Sequence, residues 1–241
     1  MVRGILAASC LLAFAGAARA DAILIPYDGF PNPAEARKVK KVVDSYTFYR
    51  RIEQKRFNGT ASAFNFLLDR MPMTAAMMRE MGLEKYVIST REDGVMMCDD
   101  KEGVVGTLEP MYCAPNKRIF YGDGTFSTGV VGRIRGESVV VLEYVQEQPN
   151  VVCNTITVYI RVHSFFSPLM RLASPIVRSM VSRKTTALLN ASMKLSEQLV
   201  TDPEGVYREI CDCRDITPEQ LGEFRRIFIE CRSEVQPQPS P

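Results

Sequence analysis

The stretch that most constrains this chain is Ser167 to Val200, SPLMRLASPIVRSMVSRKTTALLNASMKLSEQLV. Leu169, Leu172, Ala173, Ile176, Val177, Met180, Leu188, Leu195 and Leu199 recur at the three-and-four spacing that places them on one face of a helix. Arg171, Arg178, Arg183, Lys184 and Lys194 fall mostly on the other faces. Ser167 can cap the first free amides, Pro168 suits the first turn, and Thr201-Asp202-Pro203 forms a stop. Such a helix is about 50 Å long. It therefore needs a broad apolar surface from the rest of the chain.

The residues just before it offer one. In Val151 to Val162, Val152, Ile156, Val158, Ile160 and Val162 alternate with Cys153, Thr155, Thr157, Tyr159 and Arg161, a strand with one apolar face interrupted by Asn154. Ser138, Val140, Leu142, Tyr144 and Gln146 continue that face on Val139 to Val145. Tyr86–Ser89, Val95–Met97, Val104–Glu109, Arg118–Phe126 and Val130–Ile134 also read as strands. Asp93-Gly94, Glu102-Gly103, Pro115-Asn116, Arg135-Gly136 and Pro149-Asn150 read as the turns between them. Short turns imply an antiparallel meander. The expected fold class is α+β: a curved antiparallel sheet gripping a long C-terminal helix.

Upstream the period is helical. Asn32-Pro33-Ala34-Glu35 opens a helix with Ala36, Val39, Val43, Tyr46 and Tyr49 on one side, expected to reach Phe57, with a strand inside Phe48 to Asn58 as the competing reading. Its basic clusters, Arg37-Lys38, Lys40-Lys41 and Arg50-Arg51, read as a solvated face, with transient contact to anionic lipid headgroups as the functional alternative. Two shorter helices follow from Thr60 and Thr74, separated by Met71-Pro72 and ended by Gly82. Beyond Pro203, a Cys-Asp-Cys element and a helix opened by Thr217-Pro218-Glu219-Gln220 read as a stapled appendage.

Residues 1–20 read as a secretory signal: Arg3, an apolar run from Ile5 to Ala15, and Ala18-Arg19-Ala20 as the cleavage site. The expected location is the periplasm or the exterior. Loss of Arg3 and Arg19 brings the formal charge of +2 to about zero, which gives no global reason to bind nucleic acid. Of seven cysteines, Cys98, Cys113, Cys153, Cys211, Cys213 and Cys231 lie beyond the leader. An even number in an exported chain favours disulfides over metal. Cys98 is expected to meet Cys113 across a hairpin, and Cys231 to meet Cys211 or Cys213. The expected organisation is a signal peptide over 1–20, an N-terminal extension and helix over 21–57, a sheet-and-helix domain over 58–202, a Cys-rich appendage over 203–235 and a disordered tail over 236–241.

Catalytic signatures are sparse. His163 is the single imidazole and falls on the polar face beside Arg161, where a solvated histidine is the ordinary outcome. Asp93 and Asp99-Asp100 fall in turns, and Glu143 faces outward if Leu142 faces in. Gly122-Asp123-Gly124 precedes strand residues, not a helix N-terminus, so it reads as a bend in a curved sheet and not as a phosphate loop. Met71, Met73, Met77, Met78 and Met81 read first as core, and second as an adaptable pocket lining. No cofactor motif is present.

The helix pair in Ser62 to Pro72, SAFNFLLDRMP, and the strand Tyr159-Ile160-Arg161-Val162 feeding Pro168 to Leu199 together resemble the helix-grip fold of the START and birch-pollen-allergen superfamily. The resemblance spans about Phe57 to Val200. It implies an apolar cavity between sheet and helix that binds a lipid or other hydrophobic molecule. Here that cavity would be lined by Phe120, Phe126, Val140, Leu142, Tyr144, Ile156, Val158, Ala173, Val177 and Met180. The leading expectation is a non-catalytic carrier. The alternatives are an envelope interaction module with a solid core and a cyclase-type enzyme of the same superfamily.

Overall fold

The computed structural model of the chain describes residues 25–128, 132–163 and 168–230. Helix α1 (Pro33–Asp44) starts where Asn32 Oδ1 accepts the Ala34 amide at 2.8 Å, with Pro33 in the first turn. Seven strands follow, interrupted after the first by two helices: β1 (Phe48–Asn58), α2 (Ala61–Asp69), α3 (Met71–Glu80), β2 (Val87–Thr90), β3 (Met96–Asp99), β4 (Val104–Ala114), β5 (Lys117–Thr128), β6 (Gly132–Gln148) and β7 (Val151–Val162). They form one sheet in the order β1-β7-β6-β5-β4-β3-β2, every neighbour antiparallel. The long helix α4 (Pro168–Thr201), α5 (Pro203–Ile210) and α6 (Pro218–Arg225) follow, and a π-helical turn over Arg226–Glu230 ends the described residues. No described helix is long and apolar enough to cross a membrane.

Both faces of the sheet are covered. On the outer face, Val39 and Val42 of α1 bury against Ile119, Tyr121, Val139, Val141 and Tyr159. On the inner face, Phe120, Leu142, Tyr144, Ile156 and Val158 pack against Phe64 of α2 and Leu189 of α4. A further cluster sits beyond the sheet, where α2, α3, α5, α6 and the end of α4 bury Phe66, Met73, Met77, Leu195, Leu199 and Phe224. Met73, Met77 and Met78 are therefore core, as the first of the two readings of those methionines had it. The α6 start is a capping box, with Thr217 Oγ1 accepting the Gln220 amide and Gln220 Oε1 accepting that of Thr217.

Three expectations are corrected. The helix expected to reach Phe57 ends at Asp44, and Phe48–Asn58 instead pairs with β7 from Phe48↔Ile160 to Asn58↔Val151. A bulge between Ile52 and Lys55, with Gln54 at φ +49°, lets Phe48, Ile52 and Phe57 all turn to the inner face. The turn expected at Arg135-Gly136 is absent, because β6 runs unbroken through it and Gly136 pairs with both Gly124 and Val162. Val130 lies outside the described residues.

Among the described residues the expected Cys98–Cys113 disulfide is not formed, and Cys98, Cys113, Cys153, Cys211 and Cys213 are free thiols. Cys98 faces Gly106 on β4, and Cys113 lies seven residues further along that strand, about 20 Å away at ordinary strand rise. A disulfide tolerates no more than about 7 Å between Cα atoms. Cys231 lies outside the described residues.

Candidate functional site

The site is built on missing side chains. Gly106 of β4, Gly124 of β5 and Gly136 of β6 are register partners in a row across three strands, and Gly122 lies opposite Ser138. Strand alternation turns all of these toward α4, as it does Phe120 and Phe126 on the same strand. The neighbouring strands approach closely there: a Cβ on Gly106 would come within 2.6 Å of the Asp123 carbonyl oxygen, and one on Gly122 within 2.7 Å of Ser138 Oγ. Glycine thus permits the close approach and leaves this part of the inner face without side chains.

Above that floor runs the first half of α4. Val177, Met180, Val181, Lys184 and Thr185 face the glycines, and together with Phe126, Ile134, Ile160, Val162, Leu108 and Cys98 they line a half-open cavity of about 280 Å³. The lining is predominantly apolar. Val177 is buried with Phe48, Ile134 and Val162, so this end of α4 is seated on β1, β6 and β7.

The ionisable groups around the cavity are turned away or neutralised. Asp123 and Glu137 stand on strand positions that alternate outward. Asp123 pairs with Arg135 at 2.9 Å. Glu137 takes hydrogen bonds from Tyr121 at 2.9 Å, Arg161 at 2.5 Å and Lys41 at 3.3 Å, with His163 Nε2 3.2 Å away. Burial works against its charge, but those donors outweigh it and hold the carboxyl down at about 2. The Cys98 thiol is pushed up to about 11, by burial first and then by Asp100 and Asp99, so it is protonated at neutral pH. Lys184 is bonded to Asp100 and to Glu102. Among the described residues no group of three or more His, Cys, Asp or Glu side chains is placed to hold a metal ion.

One sheet, two helices after its first strand, and a long helix laid along the inner face after its last strand: the element order and topology decide the architecture. This is the helix-grip fold. No protein-family model and no curated protein matches the sequence. Solved structures of similar shape include the Zhui aromatase/cyclase from Streptomyces (15% identity, 64% of this chain and 98% of that one, TM-score 0.47). A conserved protein from Geobacillus kaustophilus (10%, 63% and 97%, TM-score 0.46) is another. A START superfamily protein from Mycobacterium smegmatis (11%, 63% and 97%, TM-score 0.39) is a third.

Of the ten side chains expected to line the helix-grip cavity, Phe126, Val177 and Met180 do so. Phe120, Leu142, Tyr144, Ile156 and Val158 are buried in the solid layer beside it, and Val140 packs against them half-buried. Ala173 lies within α4, but its side chain is outside those described. Within the solid layer a polar network pins α2 to the sheet. Arg118 is buried and donates to Asp69 and Asn65 at 3.0 Å, while the Tyr144 hydroxyl donates to Asn65. Burial raises the Tyr144 hydroxyl to about 12. The glycines, Cys98 and Lys184 were not anticipated as lining. The available signal was the spacing in Gly122-Asp123-Gly124, since glycines two apart in a strand leave one face bare.

Proposed function

We propose that this is an exported binding protein that holds a hydrophobic ligand between the glycine-floored part of the sheet and the first half of α4, without catalysing a reaction on it. The observation that carries this reading is the half-open 280 Å³ cavity itself, lined mainly by Val, Ile, Met and Phe side chains over the glycines. Its volume lies just below the usual range for ligand pockets, about 300–1,000 Å³, which suits a small molecule or a single chain better than a large lipid. Binding is favoured over cyclase-type chemistry because Cys98 is held protonated and Lys184 is engaged by two carboxylates. Neither offers a free base or nucleophile. An interaction module working through the basic face of α1 is less favoured, because three of its cations are already paired: Lys38 with Glu109, Lys40 with Asp44 and Lys41 with Glu137. Export rests on the leader in residues 1–20.

The test is to express the full chain with its leader, recover the processed protein from the periplasm or medium, and extract it with organic solvent. A stoichiometric apolar molecule in the mass spectrum, or saturable displacement of a fluorescent fatty-acid probe, is the expected result. Retention of the protein in the cytoplasm sinks the export reading. Absence of both an extracted molecule and probe binding sinks the carrier reading.

A further inference from the structure

The polar end of the ligand is the next question, and it rests on the hydrophobic-ligand reading. Lys184 belongs to two linings at once: that of the cavity, and that of a neighbouring, more polar groove of about 430 Å³ formed with Arg79, Leu83, Tyr86, Asp100 and Glu102. Its partners Asp100 and Glu102 belong to the groove alone, so the aliphatic stem is shared with the cavity while the ammonium is held at the groove. Lys184 therefore stands where the apolar space and the polar groove adjoin.

Its two carboxylate partners are not equivalent. The Asp100 side chain is 3% exposed. Its Oδ1 accepts the amides of Glu102 and Val104, both at 2.8 Å, and its Oδ2 accepts the Lys184 ammonium. The turn between β3 and β4 thus fixes it in place. The Glu102 side chain is 54% exposed and meets the same ammonium at 3.0 Å. An exposed partner of this kind contributes little to stability and can leave into water at small cost.

We propose that Lys184 is the headgroup site for an amphiphile carrying one carboxylate. The ligand's carboxylate takes the place of Glu102 on the ammonium, and its alkyl chain lies over Gly106, Gly124 and Gly136 beneath Val177 and Met180. The exchange conserves charge, since one carboxylate leaves the ammonium as another arrives. The buried Lys184–Asp100 pair stays intact, so no charge is left unpaired inside the protein. A neutral amphiphile of the same length gains the apolar contacts but not the ammonium.

Calorimetric titration of the processed protein with decanoate and with decanol tests this. Decanoate is expected to bind about tenfold more tightly, since its carboxylate meets the ammonium and the Glu102 pair it displaces is exposed and weak. Glu102→Gln, an exposed change that spares the Lys184–Asp100 pair, removes the resident competitor. It should tighten decanoate about two- to fivefold and leave decanol unchanged. Lys184→Met should abolish the preference for decanoate, with circular dichroism reporting that the variant folds. Equal binding of the two amphiphiles, or no response of decanoate to Glu102→Gln, overturns the headgroup assignment. Val177→Phe, which fills the cavity, separates the two levels. If it abolishes binding of both amphiphiles while the wild type binds them equally, the cavity reading stands and the headgroup assignment alone falls. If neither amphiphile binds the wild type, or Val177→Phe leaves binding untouched, both readings fall.

Discussion

Gly124 on β5 is the register partner of Gly106 on β4, and a Cβ on Gly124 would lie 2.9 Å from the Gly106 Cα and 2.7 Å from the Val105 carbonyl oxygen. The obstacle is backbone on a neighbouring strand, which no rotamer change can move aside. Gly124→Ala is accordingly expected to destabilise the protein by about 1–3 kcal/mol, the usual penalty for overpacking. It would appear as a lower urea midpoint with an unchanged slope. A midpoint equal to wild type would show that the strands can part here without cost.

The Arg118 side chain is 7% exposed and depends on Asp69, itself 44% exposed, for its charge partner. Asp69→Ala leaves the guanidinium with Asn65 and the Ala114 and Lys117 carbonyls, and should cost about 1–3 kcal/mol. Asp69→Asn, which keeps one acceptor oxygen, should recover part of that loss. Equal losses for the two variants in chemical denaturation would mean that the partner's hydrogen bonding is not what matters.

Glu137 sets part of the acid stability. Its folded carboxyl is held down at about 2, below the roughly 4.3 of an unfolded glutamate. The stabilisation it provides is therefore complete above about pH 4.5 and is lost as the pH falls toward 2. With solvent screening allowed for, about 1–2 kcal/mol is at stake. Glu137→Gln should be less stable than wild type at pH 7 and nearly level with it at pH 2. A constant gap between the two from pH 7 to pH 2 would contradict the assignment.

Cys113 is exposed, whereas Cys98 is partly buried at the cavity wall with its thiol pushed up to about 11. Thiolate is the reactive form, so maleimide at pH 7.5 should label Cys113 much faster than Cys98. Peptide mapping reads both rates and the pairing together. A disulfide between Cys98 and Cys113 in the map of the purified protein would refute the register of β3 on β4.

The parts of the fold legible in the sequence were those whose side-chain period is unbroken. The alternation of Val152 to Val162 on β7 and the three-and-four spacing of α4 each specify one buried face, and the structure joins those faces. β1 was obscured by its own bulge, which spaces the inward residues at Phe48, Ile52 and Phe57, close to a helical period. Gly136 read as a turn because glycine is the same signal whether the chain reverses or another backbone comes near.

The sequence by itself determined that an antiparallel sheet with an apolar inner face is followed by a long amphipathic helix, because hydrophobic periodicity is a local property that burial enforces. Tertiary structure decided where the room lies. Phe120, Leu142, Tyr144, Ile156 and Val158 face inward as their alternation requires, yet they meet Phe64 and Leu189 and fill their space. Gly106, Gly124 and Gly136 are 18 and 12 residues apart and become one floor through the register of three strands. Lys184 meets Asp100 across 84 residues. Cavities and ion pairs depend on which distant residues are brought opposite one another, and strand register and helix placement settle that after the local pattern has been spent.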